Sequence, residues 1–444
     1  MTRPVPARSR AASAIVLSLV LLPGAAAAEQ NPIAPGWARL SIFGQAASTT
    51  PVEGGASTFG EIVTTLAVQS ATREASGAEY NVDLRLAGYP SMESRATRVS
   101  IYEASVTERL RGGTIGIRAG QMWLTELGAL GAVGGGLVEY RQPRPAAGGL
   151  RLRAAVFGGL EPQILAAGYV GGVRKAGGFV SLEGTGARRH VVGYVNVRDA
   201  GLTERSVVTV SNFLPIDRRL FVYQAAEIDL SRPGGASSRA SYFFTNARVS
   251  PNDTIDIQAT VHRGRSIDTR TITQELLHGR PVDARSLEGF LYESVGGRVT
   301  VRVARGVRVF GGMSSDRNNR EDVRTTRLTA GFFASNLGGS GLDVQASDNR
   351  IQAPTRSYDS WYASVGRQLG PRVYFTGDFG SSLSLLRPSA TDLFTIESRP
   401  RTQRFGASAI VNSTRHLSFL FTGEAVRDPS FQERRVLAGI TYRF

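Results

Sequence analysis

Apolar and polar residues alternate along most of this chain. From Glu79 to Tyr89 the sequence reads E-Y-N-V-D-L-R-L-A-G-Y, which sets Tyr80, Val82, Leu84 and Leu86 on one face and Asn81, Asp83 and Arg85 on the other. Asp253 to His262 repeats the pattern, with Ile255, Ile257, Ala259 and Val261 against Asp256, Gln258, Thr260 and His262. So do Gly149 to Phe157, Arg372 to Phe379 and His416 to Ala425. Period two is the signature of a strand whose two faces meet different surroundings. About 23 such segments follow one another, each repeat taking roughly 15 to 20 residues, a length that suits membrane-spanning strands. A closed antiparallel barrel with both ends on one side needs an even number. The expectation is therefore about 22 strands, within a range of 18–24, the surplus segment lying in the glycine-blurred stretch Ile164 to Gly184.

The connections alternate in length as well. Tight turns are expected at Ala304-Arg305-Gly306, Ser250 to Asp253, Leu369 to Arg372 and Asn412 to His416, with longer loops over Gly264 to Tyr292, Ser314 to Val323 and Ser384 to Thr402. Short turns at one end and long loops at the other are the outer-membrane arrangement. No long amphipathic helix is visible, although Thr273 to His278 suits one helical turn. A propeller would repeat every 40 to 50 residues or so, and no such repeat is present. A soluble sandwich would show the same alternation with its apolar face turned inward, so the chain ends must decide between the two.

The N-terminus has a basic start (Arg3, Arg8, Arg10), an apolar run from Ala11 to Leu22, a Pro23-Gly24 break and the small residues Ala26-Ala27-Ala28. This is the form of a secretory signal cut after Ala28, and the apolar run is too short for a membrane helix. The expected organisation is a signal peptide over residues 1–28, a short segment over 29–36 and a barrel over 37–444. So short a segment leaves no room for a plug domain. The chain has no cysteine, which excludes disulfides, a thiolate nucleophile and Cys-based metal sites.

The C-terminus reads V-L-A-G-I-T-Y-R-F, with Val436, Ala438, Ile440, Tyr442 and Phe444 on one face. It resembles the closing strand of Gram-negative outer-membrane β-barrel proteins. The resemblance implies an all-β fold, a single closed antiparallel transmembrane β-barrel in the bacterial outer membrane. It also implies insertion by the barrel-assembly machinery, which reads these five positions, and a last strand paired with the first, over Trp37 to Ala47. The apolar face would then meet lipid and the polar face a wet interior. Trp37, Tyr80, Tyr89, Trp123, Trp361 and Tyr442 are candidates for the interfacial aromatic girdles. The segment Ile115 to Gln121 is similar to the strand-then-Gly-Arg-Gln segment of substrate-specific porins and alginate-export barrels. The arginine of that tripeptide is absent before Gln121, and Gly366-Arg367-Gln368 keeps it elsewhere.

The formal net charge is +15, from 52 basic and 37 acidic residues. The candidate pore-lining residues on polar faces are Arg85, Arg118, Arg151, Arg153, Arg298, Arg302, Arg308, Arg327 and Arg404, together with Asp83, Asp256 and Asp378. Unpaired, such arginines would favour anions. Paired across strands with carboxylates, Asp343 and Glu424 included, they would form a structural lattice instead. The loop Gly264 to Tyr292 carries charges of both signs and either folds into the lumen or stays in solvent. Arginines spread at strand spacing on an exported chain give no reason to expect nucleic acid as a partner. The expected partners are outer-membrane lipid, lipopolysaccharide phosphates and small solutes.

Enzymatic readings find little. The four histidines stand apart: His278 in a loop, His416 in a turn, and His190 and His262 near strand ends on the polar face. No serine stands in a nucleophile motif, and no cofactor or metal motif is present. The expected function is a passive outer-membrane channel for small hydrophilic, anion-leaning solutes. The alternatives are an export barrel for an anionic polysaccharide and a closed structural or adhesive surface barrel.

Overall fold

The computed structural model describes residues 35–444 except 72–76, 92–94, 144–148, 164–165, 234–238, 322, 354–355 and 387–399. The expected signal peptide lies outside the described residues. The rest is a run of antiparallel strands: β1 Pro35–Pro51, β2 Ser57–Ser70, β3 Gly77–Gly88, β4 Arg98–Leu110, β5 Ile115–Trp123, β6 Ala132–Arg141, β7 Arg151–Pro162 and β8 Tyr169–Glu183. These are followed by β9 Arg189–Asp199, β10 Leu202–Pro215, β11 Leu220–Ser231, β12 Arg239–Val249, β13 Ile255–Ser266, β14 Phe290–Ala304 and β15 Val307–Asn318. The last seven are β16 Thr325–Ala334, β17 Leu342–Ala353, β18 Arg356–Leu369, β19 Val373–Leu386, β20 Arg401–Asn412, β21 Leu417–Arg427 and β22 Phe431–Arg443. The glycine-blurred stretch holds one strand, β8, so the total is 22.

Each strand pairs with its sequence neighbours, and β22 pairs with β1 in the register Ile42↔Ile440. The Thr441 hydroxyl donates to Ser41 Oγ at 3.0 Å across that seam. With the seam closed, no described strand is left with an unpaired edge, which is the condition for a sheet to survive in hydrocarbon. The connections at the end holding both termini are short. Arg305-Gly306 is a two-residue turn in which Gly306 takes φ +78°, a conformation that glycine adopts at no steric cost. The longest connection, 267–289, lies at the opposite end, called here the loop end. It carries two short helices, α1 Thr269–Leu277 and α2 Ala284–Glu288.

The outward face is apolar. Ile42, Val106, Val156, Val192, Val295, Met313, Phe405, Phe421 and Val436 lie exposed on alternate positions, as the pleat requires of a surface facing acyl chains. Trp37, Trp123, Trp361 and Tyr442 are also exposed. In a water-soluble sandwich these positions would be the buried ones, so the outward belt settles the choice left open by alternation alone.

The inward face departs from expectation in one sector. It is polar around most of the ring, but from β6 to β9 it carries Leu137, Phe157, Val173, Phe179, Val191, Val195 and Val197, all buried. A wet lumen would not bury them. They are covered because the chain between β5 and β6 does not stay in the wall. The short turn Thr125–Gly131 folds into the barrel and lays Leu124 and Leu127, each almost fully buried, against this patch. Gly193 makes room for it: a Cβ there would fall 2.3 Å from Leu127 Cδ2. His190 is a second correction. It shares the outward face with Val192 and Tyr194, and its Nδ1 lies 3.0 Å from Asn212 Oδ1.

Candidate functional site

The interior of the barrel is the candidate site, and it has two unlike sides. The first is built around the inward turn. Burying a leucine stabilises by roughly 1.5–3 kcal/mol, whereas a buried ion pair gains little after desolvation. The apolar contact of Leu124 and Leu127 therefore holds the turn in place, and charge fixes its position. Glu126 Oε1 accepts from Arg153 at 2.5 Å and from Arg189 at 2.6 Å. Arg153 also holds Glu139, at 2.5 Å. Glu139 takes Arg141 at 2.8 Å, and Arg109 binds Glu79 at 2.9 Å. Arg118 is bound to Glu103. These groups enclose a polar cavity of about 310 Å³ between the turn and β2 to β7.

Helix α1 completes this side from the loop end. Its N-cap Asp268 accepts from the Thr271 backbone N–H at 3.0 Å, a bond that holds the Asp268 carboxyl below the usual carboxylate range. Arg270 reaches back across the sheet to Glu204 on β10 at 2.8 Å and Glu161 on β7 at 2.6 Å. Burial lowers the proton affinity of its guanidinium, but the hydrogen bonds and charges of the two carboxylates outweigh that and raise it overall. Gln274 donates to Asp199 Oδ2 at 2.5 Å. Glu161 also faces Lys175, the single lysine of the chain, at 3.7 Å. Of the two placements open for the long loop, the structure has the inward one: α1 lies against the inner wall at β7, β9 and β10.

The second side runs from β13 through β22 and is sparser. Arg298 and Arg302 on β14 and Arg308 on β15 share the inward face, and Arg302 and Arg308 are direct cross-strand partners. Among the described residues no carboxylate lies within ion-pair distance of these three. Arg298 instead stacks over Phe310 at 3.9 Å and Arg308 over Phe333 at 5.5 Å.

The remaining sequence candidates are dispersed. Arg85 lies 3.6 Å from Glu61, and Asp83 is on the same strand face, paired with Ala67 and Glu103. Arg151 sits at the terminal rim and donates to the Gln142 carbonyl. Asp256 binds Arg248 at 2.5 Å, and Arg327 lies 3.8 Å from Asp316. Arg404 binds Glu424 at 3.2 Å on β20 and β21, and Asp378 faces Gly406 on β20. Arg118 and Arg153 are gathered at the first cavity, and Arg298, Arg302 and Arg308 in the second sector. Val436, Ala438, Ile440 and Tyr442 share the outward face of β22, and Phe444 follows at its end.

Sequence reasoning missed Glu126, Leu127, Arg189, Lys175 and Glu204, which place the turn and α1. One signal was present. β9 reads V-V-G-Y-V-N-V, apolar at both parities, and a strand apolar on both faces has something covering its inner side.

No family model matches the chain, and no curated protein matches it. Among solved structures it is similar to Pseudomonas aeruginosa OccK9 (OpdG), at 12% identity and TM-score 0.45, over 92% of this chain and 98% of that one. It is similar to P. aeruginosa OpdQ at 12% identity and TM-score 0.44, with the same coverage. Acinetobacter baumannii OccAB2 follows at 9% identity and TM-score 0.44, covering 92% and 98%. The seam between β1 and β22, the apolar outward belt and the inward charges carry the assignment by themselves. The chain is a closed 22-stranded antiparallel β-barrel with the outward apolar belt of a membrane-spanning barrel.

Proposed function

We propose that this barrel is a passive channel for small hydrophilic solutes with a preference for anions. The observation that carries the reading is the contrast between its two inner sides. In a ring of 22 strands, β14 and β15 stand diametrically across from β3 and β4. On the β3–β10 side the basic groups are held by carboxylates. On the β14–β15 side no described carboxylate is within ion-pair distance of Arg298 or Arg302, and Arg308 feels only the longer-range charge of Asp256, which is itself bound to Arg248. Unneutralised guanidinium groups along a confined aqueous path raise the local anion concentration and favour anion entry. The inward turn and α1 both lean on the β7–β10 wall, which leaves the passage to the arginine side. Transport of this kind needs no energy input and no cofactor.

Arg85, Arg118, Arg151, Arg153, Arg327 and Arg404, with Asp83, Asp256 and Asp378, complete the lining in this reading, most of them as paired groups that set shape more than selectivity. Val436, Ala438, Ile440, Tyr442 and Phe444 form the strand recognised during insertion. Rim arginines at the loop end meet lipopolysaccharide phosphates through charge-assisted bidentate contacts. The test is the zero-current potential of the purified barrel in a planar bilayer under a potassium chloride gradient. The expected sign is that of chloride preference. Clear potassium preference, or no conductance at all, contradicts the proposal.

A further inference from the structure

We propose that the inner wall from β10 to β14 is a binding track for neutral pyranose rings; the inference rests on the channel reading above. The track begins near the terminal end, where Phe213 and Phe221 lie 4.8 Å apart, ring centre to ring centre. Tyr223 is the cross-strand partner of Phe213 and lies 5.9 Å from Phe244. Phe244 lies 6.2 Å from His262, which stands 5.6 Å from Tyr242 and 5.5 Å from Tyr292. One aromatic follows another over five adjacent strands, about 19 Å in the hydrogen-bonding direction, climbing toward the loop end. All stand on the inward face, since their neighbours Phe243, Val261 and Val295 are the exposed outward ones.

Such a ladder is not needed to hold the barrel together. Elsewhere among the described residues the inner aromatics stand singly under a cation or against a carboxylate, as Phe310 and Phe333 do under Arg298 and Arg308 and Tyr374 does against Asp343, and the apolar patch on β6 to β9 is covered by the turn. This one is left half-exposed on the passage side. Half-exposed aromatic faces with a few placed polar groups are how ligand sites bury an amphipathic solute. At the loop end the track opens into a cavity of about 380 Å³ beneath α1, lined by Tyr242, His262, Tyr292, Glu227, Asp229 and Arg205.

The polar edge selects among ring-shaped solutes. Arg205 is already held by Glu227 at 2.9 Å and Asp229 at 2.8 Å, and Arg265, the other cation of the lining, donates to the Glu288 carbonyl, so the charges of the lining balance and its carboxylates offer acceptors to hydroxyl donors. An aromatic carboxylate would find the same stacking faces but would meet two carboxylates. A neutral sugar ring, apolar on its face and hydroxylated at its edge, fits both features.

The experiment uses the full barrel and maltohexaose as the probe. Current blockade in a planar bilayer is read beside calorimetric binding to the detergent-solubilised barrel. Maltohexaose is expected to block saturably and to bind. A polyethylene glycol of similar mass, which has no ring faces, is expected to do neither. Tyr242→Ala combined with Tyr292→Ala is expected to raise the half-blocking concentration roughly tenfold with the open current retained, and Tyr242→Phe combined with Tyr292→Phe to restore most of the binding. Equal blockade by the polymer, an unchanged double alanine variant, or tighter binding of 4-hydroxybenzoate than of maltohexaose overturns the proposal. Binding in calorimetry without any current supports the track and contradicts the channel alone.

Discussion

The β3–β10 side and the β14–β15 side of this barrel answer the same problem in opposite ways. Both must present an inner surface compatible with water. On the first, the chain covers its own apolar patch with the Thr125–Gly131 turn and neutralises nearly every cation, using Glu79, Glu103, Glu126, Glu139, Glu161 and Glu204. On the second, no described segment folds over the wall, and among the described residues no carboxylate is within ion-pair distance of Arg298, Arg302 or Arg308, although Arg308 feels the charge of Asp256. The first side uses its inward residues to fix structure, and the second holds the three arginines on which the proposed anion preference depends. The difference shows that a count of inward arginines says little about selectivity until their partners are known.

Four variants bear on that contrast. The largest effect is expected from Leu127→Asp, which places a charge in a site now almost fully buried. Losing a buried leucine costs about 2–5 kcal/mol, and burying an unpaired carboxylate adds more. The turn should leave the wall, and single-channel conductance should rise to about twice its value or more as the path widens. An unchanged conductance would mean that the turn does not narrow the path. Glu126→Gln comes next. It removes the charge that holds Arg153 and Arg189, at a cost of about 1–3 kcal/mol, and makes the first side resemble the second. Thermal denaturation in detergent should fall by a few degrees, and the zero-current potential should shift further toward chloride.

Asp268→Ala is a smaller perturbation, since loss of an N-cap costs about 1 kcal/mol. Channel noise should increase as α1 frays. The unsubstituted barrel should show the same noise in acid, and the sign follows from the shift. The Asp268 carboxyl is held below its ordinary value by the Thr271 N–H. Its stabilisation is complete above the unfolded pKa of about 3.9 and is lost as pH falls through the lower folded value. Noise that grew toward alkaline pH instead would contradict this assignment. The least effect on stability, within about 0.5 kcal/mol, is expected when Arg298, Arg302 and Arg308 are all replaced by alanine. The same variant should lose most of its chloride preference. A large loss of stability with selectivity retained would invert the roles assigned to the two sides.

Much of the architecture was legible in the residues. Alternation in segments such as Glu79 to Tyr89 marks strands, the terminal Phe444 with its four apolar predecessors marks the closing strand, and Ala304-Arg305-Gly306 marks a turn. These features are local, and a strand announces its own faces. The inward turn is a long-range event: it depends on whether Leu124 and Leu127 find an apolar patch three to five strands away. Leu124, Leu127 and Leu130 are spaced by three, which aligns them on one side of a tight helical turn, and β9 is apolar at both parities, but neither sign names the other as its partner. Ion pairing was illegible for the same reason. Arg153 and Arg298 look alike as strand residues, and only the register and the approach of Glu126 separate them. His190 was placed on the wrong face because a polar residue near a strand end breaks the alternation.

The most direct measurement of the account uses the absence of cysteine from the chain. Single substitutions Arg298→Cys, Val195→Cys and Val299→Cys report in turn on the open inner side, the covered inner side and the lipid face. Each is treated with an anionic, membrane-impermeant thiosulfonate while current is recorded. The account predicts rapid modification and a drop in current at position 298, with positions 195 and 299 protected. Modification at 195 as fast as at 298, or modification at 299 with 298 protected, would contradict it.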